Sequence, residues 1–85
     1  MIKVKLYTKQ FEYIVSELSI ERKDLTPYFK GSRKGDKITI ELDEDTADEI
    51  RDWAGEKLQK VGFDKDYNLT AEGKILEELT DLLYS

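Results

Sequence analysis

Between Lys37 and Gly62 the hydrophobic period changes once, and that change restricts the chain to folds that mix sheet with helix. Ile38, Ile40 and Leu42 alternate with Lys37, Thr39 and Glu41, the period of a half-buried strand. Asp43-Glu44-Asp45 ends the alternation. Ala47, Ile50, Trp53, Ala54, Leu58 and Val61 then fall on one face at about 100° per residue, the period of a helix. Thr46 with Glu49 fits a capping box at its start. Gly62 sits where a left-handed residue would close it, with Phe63 reaching back to Leu58.

The flanking segments complete the pattern. Ile2, Val4 and Leu6 alternate with Lys3, Lys5 and Tyr7, which predicts a strand over 2–7. Thr8 to Leu18 fits two readings. Phe11, Ile14, Val15 and Leu18 match a helix capped by Thr8, whereas Phe11, Tyr13 and Val15 match a strand. The helix is preferred because Lys9-Gln10 is poor hairpin-turn chemistry. The only proline, Pro27, makes 25–29 a short turn, and the glycines at 31 and 35 make 30–36 a loop leading into the strand at 37–42. Ile75, Leu76, Leu79, Leu82 and Leu83 give a last helix beginning near Thr70. The expectation is a single α+β domain over 1–85, a small sheet including strands near 2–7 and 37–42, with helices near 9–18, 46–61 and 70–83.

Charge is sorted along the chain. Residues 1–40 hold nine Lys/Arg and five Asp/Glu, while residues 41–85 hold five and fourteen. Asp48, Asp52 and Glu56 recur every four residues on the polar side of the 46–61 helix, and Glu77, Glu78 and Asp81 share the polar side of the last helix. Like charges at i, i+4 cost a helix roughly 0.2–0.5 kcal/mol per pair. Acids early in a helix favour its dipole, which accounts for Asp48 and Glu49 but not for Asp52, Glu56 or the acids near the C-terminus. These faces are either solvated or contact a cationic partner. Tyr67, in the connection between two helices, and Tyr84 are candidate exposed anchors, the residue type that dominates interface energetics. Trp53 reads as core. The expected partner-binding residues are therefore Asp48, Asp52, Glu56, Tyr67, Glu77 and Asp81.

Other chemistries find little to use. With no His and no Cys, the chain offers no imidazole or thiol as base, nucleophile or soft metal ligand, and an enzyme is not expected. Asp64-Lys65-Asp66-Tyr67-Asn68 resembles the start of a calcium loop, but Leu69 and Ile75 stand where such a loop needs glycine and a bidentate glutamate. No metal or cofactor is expected, and adjacent acids at 43–45 read as caps. Lys30, Arg33, Lys34 and Lys37 surround two glycines but lack the spacing of a phosphate-binding P-loop. They form either a solvated loop or a site for phosphate or for the acidic helices of another copy. No apolar run approaches the ~20 residues of a membrane span. The alternating N-terminus lacks the apolar stretch of a signal peptide, so a cytoplasmic protein is expected. The net charge of −5 makes nucleic acid an unlikely partner.

The stretch from Leu42 to Trp53, with Gly62-Phe63-Asp64 and Leu69 to Leu79, resembles the small acidic immunity proteins encoded beside bacterial contact-dependent inhibition and Rhs-type polymorphic toxins. The resemblance covers about half the chain and has no diagnostic motif, so it assigns no individual binding residue. It implies a protein that neutralises one cognate toxin, often a nuclease, whose positively charged cleft the acidic faces would cover. The alternatives are a nucleic-acid-binding or regulatory module using the basic loop 30–37 and the Lys3/Lys5 strand face, and a self-associating module. Monomer or weak homodimer is the expected state.

Overall fold

The computed structural model describes residues 1–83 and has an α+β fold. Among these residues are three strands, β1 (Ile2–Tyr7), β2 (Gly31–Lys34) and β3 (Lys37–Leu42), and three α-helices, α1 (Thr8–Glu21), α2 (Glu44–Val61) and α3 (Ala71–Leu83). A 3-10 turn at Thr26–Tyr28 takes Pro27 in its first positions, where a missing N–H costs nothing. Two compact units divide the chain, one running from Met1 to Thr46 and one beginning at Ala47.

In the first unit the strands form an antiparallel sheet in the order β1-β3-β2. The register pairs Ile2 with Leu42, Val4 with Ile40 and Leu6 with Ile38. Because strand side chains alternate, one face of this pair is apolar. Val4, Leu6, Ile38, Ile40 and Leu42 are all buried. Helix α1 packs on β1 and β3 and buries Ile14 and Leu18, which decides the ambiguous 8–18 segment for helix. The Phe11 and Phe29 rings stack with centroids 5.6 Å apart.

Two readings of this unit are corrected. Thr8 does not cap α1. Tyr7 occupies the cap position, and its N–H is satisfied by Gln10 Oε1 at 2.9 Å. The Thr8 N–H and hydroxyl both donate to the Asp36 carbonyl, tying the start of α1 to the turn between β2 and β3. The stretch 30–36 is not a loop either. It contains β2, joined to β3 by a two-residue turn at Gly35-Asp36, with Gly35 at φ +67°. Positive φ at the first turn position suits the twist of a hairpin and requires glycine there. Four charged or small residues with no apolar alternation gave no strand signal.

The second unit is a pair of helices. Its first helix is not started by Thr46: Asp43 Oδ1 accepts the Thr46 N–H at 2.7 Å, so Asp43 is the capping side chain. That donated N–H holds the Asp43 carboxyl below its ordinary value. At the other end, Gly62 is not left-handed; among the described residues only Gly35 and Tyr67 have positive φ. Gly62 is needed for space instead. A Cβ on it would collide with Leu58, and a Cβ on Gly73 would collide with the Gly62 carbonyl. Phe63 is exposed and bridges to Leu69. Thr70 caps the last helix, its Oγ1 accepting the Gly73 N–H at 3.0 Å.

Candidate protein-binding surfaces

Helix α2 buries Ala47, Ile50, Trp53 and Ala54, and that choice of face leaves Asp48, Asp52 and Glu56 exposed along the opposite side. Trp53 is core, as its position on the apolar arc predicted. Helix α3 does the same with Leu76, Leu79 and Leu83 inside and Glu77, Glu78 and Asp81 outside.

The structure joins part of the predicted set. Arg51, Asp52, Gly55 and Glu56 of α2 and Thr80 of α3 line one open groove of about 340 Å³. Glu77 and Asp81, an i, i+4 pair on α3, are exposed but do not line the groove. Asp48 is engaged by Arg51 through an i, i+3 ion pair of 3.0 Å, so part of its charge is compensated locally.

Tyr67 stands apart. Gly62 and Gly73 meet where the helices are joined and Thr80 faces the 51–56 stretch, so the helices run antiparallel and Tyr67 belongs to the joining end. It is 87% exposed and has φ +63°, a conformation uncommon outside glycine, asparagine and aspartate. Asp64 holds the loop in shape: Oδ1 accepts the N–H groups of Asp66 at 2.8 Å and Asn68 at 3.0 Å. One oxygen of the carboxylate that a calcium loop would offer to the ion is thus engaged by backbone. Tyr84 lies outside the described residues.

The cluster of basic residues at 30–37 is divided by the hairpin. Arg33 pairs with Ile38 and so projects on the side of the apolar face, whereas Lys34 pairs with Lys37 and projects on the opposite face. Lys37 Nζ lies 5.2 Å from the centroid of the Tyr7 ring. The open face of the sheet therefore carries Lys3, Lys5, Lys34 and Lys37, a grouping the sequence showed only in part because pairing with β3 creates it. Sequence reasoning also missed Lys57, a lysine buried to 7% exposure on the inner face of α2.

No group of three or more acidic residues among those described is arranged to hold a metal ion, and no helix among them is long and apolar enough to cross a membrane. No family model, curated protein or solved structure matches the chain.

Proposed function

We propose that this chain is an inhibitor of the immunity-protein type, acting in the cytoplasm by binding a basic toxin and covering its substrate cleft. The observation that carries this reading is the exposed carboxylate surface of the second unit, in which Asp52 and Glu56 line one groove with Thr80 and Asp48, Glu77 and Asp81 are exposed on the same two helices. A nuclease must attract phosphates, so its cleft is positive. A carboxylate surface uses that field for fast, salt-sensitive association. Tyr67 supplies an exposed aromatic contact beyond the groove. A nucleic-acid-binding module is the alternative; the basic sheet face favours it, and both the division of the 30–37 cluster and the net charge of −5 oppose it.

The test is capture from a lysate of the source organism with tagged wild type and with the Asp52→Lys/Glu56→Lys variant, at low and at ~0.5 M salt. The expected result is one basic protein in stoichiometric amount, weakened by salt and lost with the variant, whose circular dichroism is unchanged. Equal recovery by both proteins would remove the groove from the interface. Recovery of nucleic acid alone would overturn the reading.

A further inference from the structure

The open face of the sheet presents Lys3, Lys5 and Tyr7 from β1, Lys37, Thr39 and Glu41 from β3, and Ser32 and Lys34 from β2. It holds four ammonium groups and one carboxylate. Glu41 meets Lys3 at 3.8 Å, with both side chains more than half exposed, a pairing that costs little to exchange. Lys34 and Lys37 stand directly opposite each other, a like-charge pair that destabilises a sheet. The α2 ridge has the mirror problem in Asp52 and Glu56, and in Asp48 to the extent that Arg51 leaves its charge uncompensated.

We propose that these surfaces are the two halves of a self-association contact, in which the sheet face of one copy receives the α2 ridge of another. Their spacings agree. Residues i, i+2 on a strand lie about 6.8 Å apart, and residues i, i+4 on a helix rise about 6 Å. Lys3, Lys5 and the Tyr7–Lys37 pair therefore form three steps along β1 that match the three carboxylates of the ridge. A ridge carboxylate lying between Lys34 and Lys37 relieves their repulsion, and the lysines relieve the i, i+4 repulsion of the ridge. Each copy carries both halves, one on its sheet and one on α2, so every copy offers a receiving face and a ridge. Built from exposed ion pairs, the contact is weak and salt-dependent. The proposal does not depend on the toxin-binding reading, and its test needs only the purified chain.

Sedimentation velocity of the full chain over a concentration series is the experiment. At ~20 mM salt the average mass is expected to rise with concentration, and at ~300 mM salt the association constant is expected to fall at least tenfold, roughly. Lys3→Glu/Lys5→Glu and Asp52→Lys/Glu56→Lys should each be monomeric alone at low salt. Mixed in equal amounts they should associate, because the reversed sheet face of one now complements the reversed ridge of the other. A wild type that stays monomeric at low salt, or a mixture of two folded variants that fails to associate, overturns the proposal. If the monomer instead retains single-stranded oligonucleotide through Lys3 and Lys5, the face belongs to a polyanion.

Discussion

The hydroxyl of Thr70 donates to the carbonyl of Val61 at 3.0 Å, linking the start of α3 to the last turn of α2. The same oxygen accepts the Gly73 N–H at 3.0 Å. One side chain thus satisfies an orphan carbonyl of one helix and an orphan donor of the next. Thr70→Val keeps the shape and removes both bonds. The expected loss is about 1–3 kcal/mol, read by chemical denaturation, with Thr70→Ser retaining most of the stability. A Thr70→Val protein as stable as wild type would show that solvent replaces both bonds.

Gly73 and Gly55 should respond in opposite directions to the same substitution. A methyl at Gly73 meets the Gly62 backbone, whereas a methyl at Gly55 meets nothing within 4 Å. Gly73→Ala should cost about 1–3 kcal/mol through overpacking. Gly55→Ala, inside α2, should add about 0.5–1 kcal/mol by reducing the freedom of the unfolded chain. Thermal melts of the two variants decide it.

Asp43 gives α2 a pH-dependent start. The Thr46 N–H favours its charged form and lowers its pKa below 3.8 in the folded protein. A lowered folded-state pKa contributes stability that is present above the unfolded value and lost as pH falls through the folded one. Asp43→Ala should therefore lower the melting temperature at pH 7, and the difference from wild type should shrink below about pH 4. Asp24 is also held below its ordinary value, by Arg22, so the difference between variant and wild type is the measurement that isolates Asp43.

Tyr67 should trade stability against binding. Its left-handed backbone costs a non-glycine residue about 1 kcal/mol, while its ring is almost fully exposed. Tyr67→Gly should raise stability by up to about 1 kcal/mol and weaken capture of the proposed partner. A variant that is stabilised and binds unchanged would remove Tyr67 from the interface.

Periodicity determined a large part of this protein. The alternations at 2–7 and 37–42 and the helical stripes of α2 and α3 were legible because burial of one face imposes a period that local composition cannot hide. The acidic faces followed from the same stripes, since a helix that buries one side must expose the other. Three things were decided only by tertiary structure. Strand β2 has no apolar alternation and exists because β3 offers it a ladder of hydrogen bonds. The caps went to Asp43 and Tyr7 rather than Thr46 and Thr8, because which orphan N–H a side chain reaches depends on where the chain enters the helix. The basic sheet face, with Lys34 set beside Lys37 and Lys37 over Tyr7, arises from register: strand pairing brings together residues far apart in sequence and sends Arg33, one position from Lys34, to the other side.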